Sequence, residues 1–219
     1  MTLSEAIDAR HSVRAYKDEP VAKEVRGMLD RYAEECSRES GLHLFIRYDD
    51  PSGFDSRLAH YGRFRNVKNY IVLAGKKDRD FAFRCGYYGE KLVLFAQLHG
   101  LNTCWAAMTF SKRKVRQLLP GDETLCMVIA LGYGETQGCP HKSKKAAEVA
   151  EAGLDLPWFA EGVEAALKAP TAVNQQKFLF GLRDGEPTIR VRGFGSCTEV
   201  DLGIAALHFE AVTGRSVRH

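Results

Sequence analysis

The heptapeptide Pro170-Thr171-Ala172-Val173-Asn174-Gln175-Gln176, called here the glutamine turn, is the most informative stretch of this 219-residue chain. Its proline ends a helix predicted over Phe159–Ala169, because the residue before a proline disfavours helical geometry. The residues that follow offer hydroxyl and amide groups within a tight turn. Such groups match the donor and acceptor pattern of a heterocycle without adding charge. A hydrogen-bonded turn that caps the next strand would use the same residues.

A second motif stands far earlier in the chain, at Arg10-His11-Ser12-Val13-Arg14-Ala15-Tyr16, called here the arginine motif. Arg10, Ser12 and Arg14 alternate along a segment predicted to be extended, which places the three side chains on one side. Two guanidinium groups flanking a hydroxyl form a cradle for an anion such as phosphate. A solvated basic patch is the alternative, and it is the ordinary interpretation of two arginines taken alone.

Together the two motifs resemble the FMN-dependent nitroreductase family. The stretch Ala6–Tyr16 resembles the opening of that family, an Arg-x-Ser-x-Arg-x-aromatic pattern, and Ala166–Gln176 resembles its Ala-Pro-Ser-Ala-x-Asn-x-Gln-Pro signature. Lys142-Ser143-Lys144, called here the basic element, resembles its Lys-Ser-Arg element, and Gly100–Trp105 is similar to its Gly-Leu-Gly-Thr-Cys-Trp stretch. Lys177 departs from the family pattern, since it stands where the signature usually has proline.

The order of these motifs differs from that of ordinary family members. There the proline–asparagine motif follows the arginine motif by a few tens of residues and reaches across a two-fold dimer interface. Here the corresponding region, Arg31–Leu44, lacks it. The resemblance therefore implies a fused pseudo-dimer, similar to a smaller subset of the family, in which residues 1–150 mimic one subunit and 151–219 a truncated second one. Such a chain is expected to be a monomer with one site.

The fold implied is of the α+β class, a nitroreductase-like α/β/α sandwich with a mainly antiparallel central sheet and an internal pseudo-two-fold repeat within one compact unit, residues 1–219. Gly89–Gly100 and Gly203–Gly214 have the same spacing of 11 and are the predicted repeat register. Ser4 is predicted to cap the first helix, and the uncharged stretch Leu125–Leu131 to be a central strand. Hydrophobic periodicity predicts helices over 5–9, 21–36, 86–99, 111–119, 159–169 and 198–213, and strands over 42–48, 70–74, 125–131, 178–182 and 188–192.

The resemblance implies FMN as cofactor, NAD(P)H as electron donor and a small organic acceptor such as a nitroaromatic, quinone or enone. Arg14 would then lie near the pyrimidine edge of the flavin, whereas Arg10, Ser12, Lys142 and Lys144 would contact its phosphate and ribityl chain. The chemistry would take place on FMN, without a catalytic side chain. The implied FMN-binding residues are Arg10, Ser12, Arg14, Lys142, Lys144, Pro170, Thr171, Ala172, Asn174 and Gln176. A flavin- or nucleotide-binding module that has lost the reductase activity is the alternative.

Composition limits the remaining classes. A net charge of +3, from 31 basic and 28 acidic residues, does not call for nucleic acid or membrane partners. No signal-peptide pattern opens the chain, so we expect a cytoplasmic protein. Six cysteines without a Cys-x-x-Cys pair predict reduced thiols and no metal site. His11, His43, His60 and His99 have no spacing that identifies a general base. The basic run Lys112–Arg116 leaves a polyanion-binding protein as a third hypothesis, although a solvated helix face explains it equally well.

Overall fold

The computed structural model describes the backbone of residues 1–219 and every side chain except those of Leu58 and His60. The helices are α1 (Leu3–Ala9), α2 (Lys23–Ser40), α3 (Arg57–Tyr61), α4 (Phe81–Leu98), α5 (Lys112–Arg116), α6 (Ala146–Val149), α7 (Pro157–Ala166) and α8 (Thr198–Thr213). The strands are β1 (His43–Arg47), β2 (Asn69–Gly75), β3 (Asn102–Ala106), β4 (Thr124–Gly132), β5 (Phe178–Arg183) and β6 (Glu186–Val191). Among the described residues, none of these helices combines the length and the apolar character needed to cross a membrane.

One compact unit, the sheet unit, consists of Ala9–Phe81 and Lys91–Cys139. It contains a four-stranded sheet in the order β1-β2-β4-β3, and each neighbouring pair is antiparallel. β4 lies inside the sheet, as its uncharged sequence predicted, and every residue of β2 is buried. A strand flanked by partners on both edges and covered on both faces has no position for a charged side chain.

A second compact unit, the hairpin unit, consists of Met1–Asp8, Ala82–Glu90 and Pro140–His219. Strands β5 and β6 form an antiparallel hairpin, and α8 packs against both strands and against α7. Asp184 and Gly185, with φ of 55° and 79°, form the left-handed two-residue turn between the strands, which suits the twist of a hairpin. The bounds of α8 are those predicted, since Gly214 ends the helix at φ 66°.

Helices α4 and α8 cross within the hairpin unit at two glycines. A Cβ atom on Gly86 would lie 2.0 Å from the carbonyl oxygen of Val200, and one on Gly203 would lie 2.1 Å from that of Phe83. The two contacts are reciprocal, because Phe83 precedes Gly86 by three positions and Val200 precedes Gly203 by three. Reciprocal contacts are expected at a two-fold axis. They support an internal repeat in which Gly86, rather than Gly89, stands opposite Gly203.

The first helix is capped by Thr2, so the prediction that Ser4 is the cap was wrong. The hydroxyl of Thr2 accepts a hydrogen bond from the Glu5 amide at 3.2 Å, and the Glu5 carboxylate accepts one from the Thr2 nitrogen at 2.7 Å. This reciprocal pair is a capping box, which a Thr-x-x-Glu spacing specifies.

Other differences are an unpredicted strand, β3, an unpredicted short helix, α3, and shifted element ends. Helix α4 begins at Phe81 rather than at residue 86, and the polar connector predicted from residue 134 to 152 contains α6. The predicted pseudo-subunit boundary near residue 150 stays a prediction.

Candidate functional site

The arginine motif is an extended segment that runs beside the sheet of its own unit. Ser12 pairs in parallel with Thr103 of β3, and the Val13 amide donates to the Thr103 carbonyl at 3.0 Å. Tyr16 at the end of the motif is buried and pairs with Gly134, just after β4. The backbone of the motif is therefore fixed by β3, by Arg65 in the loop before β2 and by the segment that follows β4.

The three polar side chains of the arginine motif share a neighbour, the thiol of Cys104. Burial raises the pKa of the Cys104 thiol, while the charge of Arg14, a hydrogen bond with Ser12 and the charge of Arg10 each lower it. Arg10 is 3% exposed, whereas Ser12 and Arg14 are exposed. The motif thus has a hydroxyl and a guanidinium at the surface and a second guanidinium that is buried.

In the hairpin unit, the glutamine turn is held against the basic element. The side-chain oxygen of Gln176 accepts from the Lys144 amide at 2.8 Å, and its nitrogen donates to the Lys142 carbonyl at 2.9 Å. The side chain of Asn174 donates to the same carbonyl at 2.8 Å and accepts from Gln176 at 2.7 Å. The structure therefore brings together two elements that the sequence had linked only by resemblance.

These bonds change the interpretation of the amide groups in the turn. Gln176 is 2% exposed and uses both ends of its side chain within the protein. The ammonium of Lys144 donates to the carbonyls of Gln175 and Gln176 at 3.0 Å and 2.7 Å. These groups are therefore explained by a hydrogen-bonded turn that needs no ligand. A ligand would meet mainly the exposed apex of the turn and the exposed side chain of Lys142.

The apex of the glutamine turn is strained. Val173, Asn174 and Gln176 have φ of 46°, 55° and 45°, in the left-handed region that favours glycine. For a β-branched residue this geometry is a genuine outlier, and such residues cost on the order of 1–3 kcal/mol each. The Val173 side chain is 97% exposed, so packing around it does not hold the backbone in this form. Strain of this kind clusters at ligand-binding and switch sites.

Asp201 on α8 anchors the start of the turn, and sequence reasoning missed it. Its carboxylate accepts from the Ala172 amide at 3.0 Å and 3.2 Å and from the side-chain nitrogen of Gln175 at 2.7 Å. Burial raises the pKa of Asp201 to about 6, against the hydrogen bonds from Gln175 and Ala172, which lower it. The available signal was a carboxylate between Val200 and Leu202, at the start of an apolar stretch of helix.

The basic helix α5 lines an open cleft of about 590 Å³ in the sheet unit. Lys112, Arg113 and Arg116 line it together with Leu125 and Cys126. The polyanion hypothesis would depend on this cleft, and a solvated helix face with the same residues remains its alternative.

Two of the histidines expected to be structural are bonded to protein groups. His43 Nδ1 lies 2.6 Å from a Glu123 carboxylate oxygen, and His99 Nδ1 lies 2.8 Å from the Phe95 carbonyl oxygen. The side chain of His60 lies outside the described residues. Within the part of the chain that the structure describes, no group of three His, Cys, Asp or Glu side chains is arranged to hold a metal ion.

The family described as "Putative TM nitroreductase" matches residues 2–213. The chain belongs to this family. The assignment made from the two motifs is therefore confirmed. No curated protein matches the sequence.

Solved structures of nitroreductases share the fold. A nitroreductase described as putative, from Thermotoga maritima, is 25% identical, with 97% of this chain and 83% of that chain covered and a TM-score of 0.70. A "Putative NADH dehydrogenase/NAD(P)H nitroreductase" from Parabacteroides distasonis is 25% identical, covering 69% and 98%, with a TM-score of 0.55. A further nitroreductase described as putative, in complex with FMN, from Desulfovibrio desulfuricans, is 18% identical, covering 69% and 96%, at 0.56. The mixed fold with an antiparallel sheet is confirmed.

In this nitroreductase-family chain the predicted FMN-binding residues form two groups. Arg10, Ser12 and Arg14 each interact with the Cys104 thiol in the sheet unit. The donors of the first group fit a phosphorylated cofactor, because guanidinium groups bind phosphate oxygens through paired, charge-assisted hydrogen bonds. The other members lie in the hairpin unit, in the basic element and the glutamine turn: Lys142, Lys144, Pro170, Thr171, Ala172, Asn174 and Gln176. The assignment of both groups to FMN stays a prediction.

Proposed function

We propose that this chain is an FMN-dependent oxidoreductase that passes electrons from NAD(P)H through FMN to a small organic acceptor, such as a nitroaromatic, quinone or enone. The observation that carries the proposal is the family match over residues 2–213, joined to the cluster of Arg10, Ser12 and Arg14 around one buried thiol. The FMN bound by the Desulfovibrio desulfuricans neighbour, which shares the fold, supports the choice of cofactor.

Within this proposal, the arginine motif binds the charged parts of the cofactor. When bound, FMN supplies the redox chemistry, and the protein supplies binding and electrostatics. Arg10 and Ser12 contact the phosphate and ribityl chain, and the exposed Lys142 adds a further cation. Arg14 holds a positive charge near the pyrimidine edge, where negative charge develops on reduction, and a fixed cation there favours the reduced form.

The glutamine turn has a different part. Lys144 and Gln176 form hydrogen bonds between the basic element and the turn. We therefore propose that they order the turn rather than bind the phosphate directly. Thr171, Ala172 and Asn174 then present the strained apex toward the ring edge. Because the arginine motif and the turn belong to the same chain, we propose one FMN per chain in a monomer.

An absorbance spectrum of the purified protein, followed by anaerobic titration with NADH and then NADPH, tests the function. We expect a yellow protein whose flavin absorbance bleaches with at least one of the two nicotinamides. A colourless protein that takes up no added FMN would overturn the proposal. Bound FMN that neither nicotinamide bleaches would instead establish a flavin-binding module without reductase activity.

A further inference from the structure

Asp201 is a carboxylate in an unfavourable place. It lies on α8 just before a run of buried residues from Leu202 to Phe209, and it is itself 4% exposed. Burying an ionised carboxylate is unfavourable unless hydrogen bonds compensate it. Its partners are the Ala172 amide and the side chain of Gln175, both uncharged, and the pKa of Asp201 stays above its ordinary value despite them. The positive end of the α8 dipole favours a carboxylate in this first turn, yet burial still leaves the pKa of Asp201 raised.

The position of its partners suggests what the carboxylate does. Ala172 immediately precedes Val173, the first strained residue of the glutamine turn, and Gln175 lies between the other two strained residues. The side chain of Gln175 also donates to the Ser196 carbonyl at 2.8 Å, which links the turn to the segment before α8. Asp201 therefore holds the backbone on one side of Val173 and a side chain on the other.

We infer that Asp201 is a positioning residue that holds the glutamine turn in its strained form, so that the turn can meet the flavin. The inference rests on the proposed function. An exposed turn with left-handed valine and glutamine relaxes unless its surroundings fix it. The ionised carboxylate accepts both hydrogen bonds, and charge-assisted bonds are about twice as strong as neutral ones. Asp201 acts through the turn and has no contact of its own assigned to the cofactor.

Asp201→Asn tests the inference, because asparagine keeps the shape but places an NH₂ group where one carboxylate oxygen accepts. In the protein without FMN, we expect faster hydrogen exchange at the Ala172 amide, measured by NMR. In FMN titrations at pH 7.5, we expect an affinity about tenfold weaker than that of the unmodified protein, as for loss of one charge-assisted bond. Gln175→Ala, which keeps the Ala172 bond, should give a smaller loss.

The pH dependence separates positioning from a merely structural role. As pH falls below about 6, the carboxylate of the unmodified protein gains a proton and comes to resemble the asparagine variant. The ratio of the two FMN dissociation constants should therefore fall toward one at pH 5. Taking a ratio cancels the titration of the FMN phosphate, which also occurs near pH 6. Glu199→Gln removes the same charge at an exposed position of α8. The ratio of its FMN dissociation constant to that of the unmodified protein should stay near one from pH 7.5 to pH 5.

Equal FMN affinity and equal Ala172 exchange in Asp201→Asn and the unmodified protein would overturn the inference. A weaker affinity whose ratio does not change between pH 7.5 and pH 5 would also overturn it. If the unmodified protein binds no FMN, the proposed function fails, and the exchange of the Ala172 amide still decides whether Asp201 holds the turn.

Discussion

Arg14 is the exposed cation of the arginine motif, beside Ser12 and Cys104. Arg14→Ala should remove a charge-assisted contact to the cofactor, with a loss of about 1.5–3 kcal/mol. The FMN dissociation constant, measured by quenching of flavin fluorescence, should then rise on the order of tenfold to a hundredfold. Arg79→Ala, at an exposed arginine of the same unit, is the matched control and should bind normally. An unchanged constant for Arg14→Ala would remove this residue from the site.

The ionisation of Asp201 should also affect the free energy of unfolding. Its pKa is about 6 in the folded protein and about 3.9 in an unfolded chain. Because the folded pKa is raised, the ionised form destabilises the fold; this effect grows as pH rises from about 4 to 6 and is complete above that. Two pKa units correspond to roughly 3 kcal/mol. Asp201→Asn should raise the free energy of unfolding at pH 7 by about 1–3 kcal/mol, measured with urea, while Glu199→Gln changes little.

A lower stability of Asp201→Asn at pH 7 would show that the carboxylate is needed by the fold. Higher stability together with weaker FMN binding would be the trade-off expected of a residue kept for function. Arg10, Ser12 and Arg14 could be proposed as a site from their alternation together with the family resemblance. Asp201 could not, because its environment depends on how deeply α8 is buried, and a local pattern does not contain that information.

The crossing of α4 and α8 depends on the absence of side chains at two positions. Gly203→Ala would place a Cβ 2.1 Å from the Phe83 carbonyl oxygen, a backbone atom that cannot rotate away. Overpacking of this kind destabilises by about 1–3 kcal/mol or more, and denaturant unfolding should show it. Gly27→Ala in α2 is the matched control, since its Cβ would meet only the end of the Arg31 side chain at 3.6 Å. That variant should gain up to about 1 kcal/mol from helix propensity.

Normal stability of Gly203→Ala would contradict the close crossing.

At the scale of helices and strands, the sequence predicts best where glycine marks an end: Gly214 ends α8, and Asp184-Gly185 forms the hairpin turn. It predicts poorly where no such residue is present. Asp80 is a residue type that often caps helices, but it precedes α4 without a side-chain capping bond, and the helix start at Phe81 was not predicted.

For the whole molecule, the order of the motifs along the chain is the main evidence for a fused pseudo-dimer. The fused arrangement stays a prediction, which rests on the absence of the glutamine turn from Arg31–Leu44 and its presence at the other end of the chain. The register of the repeat was less accessible, because Gly89 and Gly86 both stand on α4 and only packing distinguishes them. The reciprocal contacts of Gly86 and Gly203 favour the Gly86 register, and the repeat itself stays a prediction.

A fused pseudo-dimer should sediment as a monomer that carries one FMN per chain. The stronger test mixes two defective variants, Arg14→Ala and Asp201→Asn, after partial unfolding and refolding together. In a dimer whose sites combine two subunits, a mixed pair regains one intact site, because each subunit supplies the residue that the other lacks. If one chain supplies both groups, each variant keeps its own defect in its own site. We therefore expect no recovery of FMN affinity in the mixture. Recovery toward about a quarter of the normal binding capacity, the value for random pairing of equal amounts, or a dimer with two equivalent sites, would contradict the fused arrangement.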